Sequence, residues 1–291
     1  MTRFELTVTE NERRMRLEDL LFGRFGGLSK MYIRQAVKDG SCEVNGRHEN
    51  VGARLSPGDF IEIELDIGRE NAMRAEAIPL NVIFEDAEII VIDKPAGMLV
   101  HPSHRDKTGT LLNALTFHLN EHLQEGRVIR PGLVHRLDKQ TSGLMVVAKN
   151  ARSHRILAAH FRKKLIKKLY LARAEGIVGP DAGVIEAAIG RFPELKQWGV
   201  QAEGKMSETR FNVITRDGET TLLRLEPITG RTNQLRIHCQ HLGHPIVGDV
   251  ARGGREFERL CLHAEYLAFF HPNGGEFLEF RSTPSGFPNG L

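Results

Sequence analysis

Three stretches of the 291-residue chain carry polar side chains that neither helical nor strand periodicity explains. In the first, Pro131-Gly132-Leu133-Val134-His135-Arg136-Leu137-Asp138-Lys139-Gln140-Thr141-Ser142-Gly143 runs straight into an apolar stretch at 144–148. A carboxylate at the edge of a core has its pKa raised by burial unless a cation or hydrogen bonds offset the desolvation. Thr141, Ser142 and the Gly143 amide can supply such bonds locally. Asp138 therefore reads in two ways, as a residue that orders the turn ahead of a strand or as a chemical group. In the second stretch, Leu225-Glu226-Pro227-Ile228-Thr229-Gly230-Arg231-Thr232-Asn233-Gln234-Leu235-Arg236, a strand ends at Pro227 and the chain turns at Gly230. Arg236 falls beside Leu235 at the rim of an apolar stripe and needs an acidic partner. Asp138 is the natural candidate, with Glu226 or Asp249 as the plainer alternatives. The third stretch, Lys163-Lys164-Leu165-Ile166-Lys167-Lys168-Leu169-Tyr170, leads a basic run into a strand bearing one of only three tyrosines. It is either a surface charge cluster with a structural Tyr170, or a set of phosphate contacts beside an aromatic ring, a pairing suited to an extruded base.

These residues need elements to hold them. Between 13 and 65, Leu17, Leu20, Leu21 and Phe25 recur at helical spacing, and Gly26-Gly27 stops the helix. Ser29 caps a second helix through Lys38, with Ile33 and Val37 facing inward and Gly40 at its end. Cys42-Glu43-Val44 alternates like a strand, Asn45-Gly46 marks a tight turn, and Pro57-Gly58-Asp59 turns into the alternating run 60–65. Arg13, Arg14, Arg16, Arg24, Lys30, Arg34 and Lys38 load the helical half with positive charge. That is either a solvated face or a set of phosphate contacts that read no base. Through Ser29-Lys30-Met31-Tyr32-Ile33-Arg34, Gly40-Ser41-Cys42-Glu43-Val44-Asn45-Gly46 and Pro57-Gly58-Asp59 this unit resembles the S4 RNA-binding domain. That resemblance makes Ser29, Lys30 and Arg34 candidate RNA contacts.

Residues 66–78 are charged and aperiodic and read as a linker, so the boundary is set at 70: a small S4-like α/β domain at 1–70 and a larger domain at 71–291. Beyond it, 82–84 and 89–92 are strand-like. Leu111, Leu112, Leu115, Leu119 and Leu123 form a helix capped by Thr110 and ended by Gly126. Asn150 caps a helix carrying Ile156, Leu157, Phe161 and Leu165; 144–148 and 169–174 are strands. Strands at 212–215 and 221–225 bracket the hairpin signal Asp217-Gly218, and Thr232 caps a helix ending near Gly243. The fold class is α+β, with a mixed, mainly antiparallel sheet.

Composition narrows the rest. With 41% hydrophobic and 26% charged residues the chain can build a core without disulfide or metal staples. Cys42, Cys239 and Cys261 form no CxxC pair and suit a reducing compartment. The first residues hold no apolar h-region and no run approaches ~18 apolar residues, so a cytoplasmic, membrane-free protein is expected. A net charge of +3 permits nucleic-acid binding without establishing it. His104-Arg105-Asp106 lacks the other parts of a kinase loop, and Lys107-Thr108-Gly109 lacks a β-lactamase's Ser-x-x-Lys partner. His238, Cys239, His241 and His244 have no standard zinc spacing, so no metal is expected.

Taken together, the chemical stretches resemble the RluA-type RNA pseudouridine synthases. Asp93-Lys94-Pro95-Ala96-Gly97-Met98-Leu99-Val100-His101-Pro102 matches that family's early motif, and His135-Arg136-Leu137-Asp138 with Thr141-Ser142-Gly143 its catalytic motif. Lys168-Leu169-Tyr170 matches the tyrosine motif, and Gly230-Arg231-Thr232 through Arg236 the arginine motif. The match continues through Gly243-His244-Pro245-Ile246-Val247-Gly248-Asp249 and Leu262-His263-Ala264. His135 stands where the related RsuA group carries Gly; Asn233 departs from a common His. The resemblance implies isomerisation of uridine within RNA without a cofactor, with Asp138, Tyr170 and Arg236 catalytic. Arg136 would fill the space left by an extruded uridine while Leu235 and Tyr170 hold the base, and Tyr170 would take the C5 proton. His135 and Thr141 join the substrate-binding set, and Lys163, Lys164, Lys167 and Lys168 the RNA contacts. Whether Asp138 attacks the sugar, attacks the base or removes a ribose proton stays open. Large-subunit ribosomal RNA is the expected substrate of a monomeric enzyme. Transfer RNA, or a non-catalytic RNA-binding ribosome-assembly factor, are the alternatives; a general hydrolase lacks a nucleophile elbow.

Overall fold

The computed structural model describes residues 1–26, 28–67, 74–103, 106–122, 129–195 and 197–287. They fall into two compact units, Met1–Ile78 with Pro102–Val128, and Pro79–His101 with Ile129–Leu291. In the first unit, strand β1 (Thr2–Thr7) precedes helices α1 (Leu17–Arg24) and α2 (Lys30–Lys38) and strands β2 (Cys42–Val44), β3 (Arg47–His48) and β4 (Phe60–Leu65). The sheet order is β1-β4-β2-β3, antiparallel throughout. Alternation in β4 puts Ile61, Ile63 and Leu65 in a core with Leu17, Leu21, Ile33 and Val37. Ser29 caps α2 as its position predicts, its hydroxyl accepting from the Tyr32 amide at 3.2 Å. Asn45 and Gly46 both take positive φ, 51° and 74°, as a two-residue hairpin turn requires.

This unit also contains α3 (Leu111–His118), capped by Thr110, whereas the spacing assigns that segment to the second domain. The helix ends earlier than its leucine spacing predicts, with Leu119 as C-cap. Leu123 and Gly126, like Gly27, His104, Arg105 and linker positions 68–73, lie outside the described residues.

The second unit holds strands β5 (Asn81–Glu85), β6 (Ile89–Lys94), β7 (Gly132–Leu133), β8 (Ser142–Ala148), β9 (Lys167–Glu175), β10 (Ala182–Phe192) and β11 (Gln197–Val200). They are followed by β12 (Lys205–Arg216), β13 (Thr220–Pro227), β14 (Leu262–Phe270) and β15 (Phe277–Arg281), with helices α4 (Ala151–Arg162) and α5 (Gln234–His241). Among the described residues these strands form one sheet ordered β11-β10-β12-β13-β9-β14-β8-β6-β5, with β15 on β14 and β7 on β8. Among the described residues only the β14–β8 pairing is parallel. The architecture is thus α+β, with a mixed, mainly antiparallel sheet.

Every residue of β8 is buried, which is why it reads as an unbroken apolar run. On one face Leu144 and Val146 pack with Leu157 and Phe161 of α4. α5 lies against β10, β12 and β13, with Leu235, Ile237 and Cys239 buried beneath it. Thr232 is not its cap. The chain enters through Asn233 in the left-handed conformation (φ 55°) without a side-chain cap, and the Gln234 side chain ties the preceding loop to the helix by accepting from the Arg231 amide at 3.0 Å.

Candidate active site

The loop between β7 and β8 carries Asp138, and it is held in place by groups that the spacing does not single out. Lys94, at the end of β6, is fully buried. Its ammonium gives its three protons to the carbonyls of Pro95 (2.7 Å), Met98 (2.9 Å) and Lys139 (3.2 Å). The Gly97 amide donates to the same Lys139 carbonyl at 2.8 Å, and the Thr141 amide closes the turn onto the Asp138 carbonyl at 3.1 Å. Burial pulls Lys94 down to about 8; Arg259 adds to this, while Asp138 and Asp93 oppose it. At the loop's exit Gly143 has φ +116°, and a Cβ there would lie 2.5 Å from the backbone N and O of Ala264. Only glycine lets β8 meet β14 in parallel at this point.

Asp138 opens into a cavity lined by Arg136, Leu137, Thr141, Lys168, Tyr170 and Leu262, with residues 229–236 on its other side. Most of the predicted set meets here: Asp138, Tyr170, Arg236, Arg136, Leu235 and Thr141. Among the described residues none hydrogen-bonds the Asp138 carboxylate. Burial raises its pKa above the usual carboxylate value, against the pull of Arg236, Arg136, Arg252 and Lys94. Tyr170 is buried, and desolvation followed by the Asp138 charge pushes its phenol above the ordinary range. Thr141 Oγ1 is buried on the cavity wall, with no hydrogen-bond partner among the described residues.

The direct partner of Arg236 is Asp249, not Asp138. Nε donates to Oδ2 at 2.7 Å and Nη2 to Oδ1 at 2.6 Å, a bidentate pair whose hydrogen bonds raise the arginine's pKa. Asp249 sits at the head of the turn Val250–Arg252, which packs on α5, and its carboxylate side chain is 1% exposed. Arg252 Nε stands 3.9 Å from the same carboxylate. Arg236 and Arg252 reach Asp138 through their fields alone.

The lysine run divides. Lys163, Lys164 and Lys167 are exposed, while Lys168 turns into the cavity, its ammonium 5.6 Å from the Phe161 ring centroid and its pKa lowered by burial. His135 does not line the cavity. It stacks on Phe161 at 4.7 Å, and its Nε2 accepts from the Val146 amide at 3.1 Å. On that edge β8 pairs with β14 only at 142–143 and with β7 only at 147–148, so the imidazole fills the gap. Burial, then Lys168, brings His135 down to about 3, and it serves the sheet as a neutral ring. In the first unit Ser29 spends its hydroxyl on the α2 cap and Arg34 Nε pairs with Glu18 at 2.6 Å, while Lys30 is exposed over the Phe22 ring.

Gln234, Asp249 and Lys94 are absent from the predicted site set. Gln234 fastens the far wall: its Nε2 donates to the Glu208 carbonyl (2.9 Å) and Thr209 Oγ1 (3.0 Å), and its Oε1 accepts from Thr229 Oγ1 (2.7 Å). A glutamine in a helix's first turn carries no such signal in sequence. His238 and His244 are engaged elsewhere, with Ser207 Oγ at 2.9 Å and the Glu175 carbonyl at 2.7 Å. Among the described residues no cluster of three or more His, Cys, Asp or Glu is placed to hold a metal ion.

The cavity thus brings a carboxylate together with an aromatic ring, an apolar side chain and several cations. The family model for RNA pseudouridylate synthase matches residues 88–241, and the chain belongs to that family. It is 36% identical over 286 residues to an uncharacterised RNA pseudouridine synthase, YlyB, of Bacillus subtilis (strain 168), covering 97% of this chain and 94% of that one. It is 35% identical over 290 residues to ribosomal large subunit pseudouridine synthase D of Pseudomonas aeruginosa, covering 92% and 88%. The solved structure of human RNA pseudouridylate synthase domain containing 1 aligns with a TM-score of 0.61 at 28% identity, over 74% of this chain and 87% of that one. The protein is an RNA pseudouridine synthase, an isomerase that converts uridine in RNA to pseudouridine. Among the described residues no helix is long and apolar enough to cross a membrane.

Proposed function

We propose that this enzyme isomerises specific uridines of large-subunit ribosomal RNA, with Asp138 as the catalytic group. The observation that carries the site assignment is the Asp138 carboxylate itself, free of hydrogen bonds and facing the cavity it shares with Tyr170, Leu235 and Arg136. A carboxylate with all its hydrogen bonds made would be a structural one; this one is costly where it stands and available to a substrate. Leu235 and the Tyr170 ring hold the uracil, Arg136 occupies the space it leaves, and the unpartnered Thr141 hydroxyl bonds the nucleotide. Tyr170 rests as a phenol, so to take the C5 proton it must first hand on its own. Arg236, fixed by Asp249, supplies positive charge to Asp138 through space. The relatives named for ribosomal large-subunit synthase activity support the substrate class. The S4-like segment 1–70 and the lysines 163, 164, 167 and 168 would grip the RNA and the domain 71–291 would carry the catalysis, in a monomeric cytoplasmic enzyme without cofactor.

The test maps pseudouridines in ribosomal and transfer RNA from a strain lacking the gene, re-supplied with wild type or Asp138→Asn. Ribosomal sites should vanish with the gene, return with wild type and stay absent with Asp138→Asn. Loss confined to transfer RNA would overturn the substrate, and sites restored by Asp138→Asn would overturn the catalytic residue.

A further inference from the structure

Behind the catalytic loop, away from the cavity lining, lies a polar chain, buried at its centre, with no part in the chemistry described so far. Arg259 Nη2 donates to Ser142 Oγ at 2.6 Å. Ser142 Oγ lies 2.7 Å from His263 Nδ1, and His263 Nε2 lies 3.1 Å from Ser282 Oγ. Ser282 in turn donates to the Asp93 carboxylate. Ser142 and His263 are 4% and 2% exposed, so water does not stand in for a missing partner. The two residues also face each other across the parallel β8–β14 bridge.

The identities of the end groups fix the direction of every bond. A guanidinium only donates, so Ser142 accepts from Arg259 and has one proton left, for which His263 Nδ1 is the acceptor. At the other end Ser282 gives its proton to the carboxylate and must accept from His263, which places the ring proton on Nε2. The opposite tautomer would put two protons between Ser142 and His263, or leave Ser142's own proton without an acceptor. It would also leave Ser282 with one proton for two acceptors. At the buried Ser142–His263 contact, a group orphaned in this way costs about 1–3 kcal/mol.

We propose that His263 is a positioning residue: as a neutral imidazole protonated on Nε2, it accepts a hydrogen bond from the Ser142 hydroxyl at Nδ1 and fixes the point where the Asp138 loop enters β8. This rests on the reading of Asp138 as the catalytic group. The loop is then held at two points on the C-terminal side of Asp138, by Lys94 and Gly97 on the Lys139 carbonyl and by His263 and Arg259 on Ser142. The two clamps share a strand end, since Asp93, which terminates the polar chain, is the neighbour of Lys94 in β6. The charged groups facing His263 are Asp93, Glu265 and Arg259; burial is the largest influence and lowers its pKa, which favours the neutral ring.

Two measurements test this on the full chain. In ¹⁵N-histidine-labelled protein at neutral pH, ring-nitrogen correlation spectra should show His263 protonated on Nε2 only, with the signal assigned by its loss in His263→Gln. The Nδ1 resonance should move in Ser142→Ala, where its hydrogen bond is gone. In single turnovers at saturating RNA, Ser142→Ala should slow pseudouridine formation at least about tenfold, with RNA affinity unchanged. Ser142→Ala is the smaller change and keeps the test alive where His263→Gln does not fold. A ring protonated on Nδ1, or on both nitrogens, overturns the proposal. So does a folded Ser142→Ala that turns over at the wild-type rate while Asp138→Asn is dead. Turnover retained by Asp138→Asn instead fells the catalytic reading, and the spectra then judge the tautomer alone.

Discussion

Asp138 is kept where its charge is costly. Its pKa is raised from 3.8 because burial outweighs the pull of Arg236, Arg136, Arg252 and Lys94. The folded protein therefore holds this proton to higher pH than the unfolded chain, and stability falls as pH rises between the two pKa values. Below the ordinary carboxylate range the cost is absent, and above the raised value it is present in full. Asn has nearly the same shape and no charge. Asp138→Asn should therefore melt higher than wild type at neutral pH, with the difference shrinking as pH falls through the carboxylate range, as read by calorimetry across pH. A melting temperature at neutral pH no higher than wild type would contradict this. Asp249 presents the opposite case, a buried carboxylate held by two hydrogen bonds from Arg236. Asp249→Asn breaks that pair and should lower unfolding free energy by about 3–5 kcal/mol in urea titrations. It should also cut turnover by about 10²-fold with RNA affinity unchanged, because Arg236 loses its fixed placement.

The elements that hold these residues meet at the parallel contact between β8 and β14, and Gly143 makes that contact possible. Gly143→Ala puts a methyl 2.5 Å from the Ala264 backbone in a left-handed conformation. It should cost at least about 3 kcal/mol, with turnover lost in whatever remains folded. Denaturant unfolding and single-turnover rates check both; an unchanged midpoint would show that the strands need not approach so closely. How well each element reads in the sequence follows from its surroundings. α2 is legible to its caps because Ser29, Gly40 and the spacing of Ile33 and Val37 are all local signals. The β12–β13 hairpin is legible from Asp217-Gly218, whose aspartate accepts from the Thr220 amide at 2.7 Å. β14 is not, because it is buried along nearly its whole length and shows no alternation, and β10 hides behind two glycines and its alanines. The cavity residues are legible as types and spacings, but Arg236's choice of Asp249 over Asp138 is set by how a turn packs on α5. Two of Gln234's four hydrogen bonds likewise reach β12, at Glu208 and Thr209, which no local pattern connects to it.

At the scale of the whole molecule, affinity for RNA is a sum over phosphate contacts spread along the chain, and the lysine run makes that sum separable. Lys163, Lys164 and Lys167 are exposed and outside the cavity, while Lys168 lines it. Each exposed lysine that neutralises a phosphate adds to the salt dependence of binding, by about 0.7 in the log–log slope for single-stranded RNA. Replacing Lys163, Lys164 and Lys167 with Ala should lower that slope by about 2 and weaken binding at low salt. Turnover at saturating RNA should be unchanged, because none of the three reaches the reacting base. Lys168→Ala should do the reverse, altering turnover with little change in slope, since a desolvated ammonium in the cavity acts on the bound nucleotide. Filter-binding isotherms across salt, paired with single-turnover rates, separate the two effects. If the triple variant keeps the wild-type slope, these lysines form a solvated surface and RNA is gripped elsewhere, with exposed Lys30 of the first unit the next cation to replace.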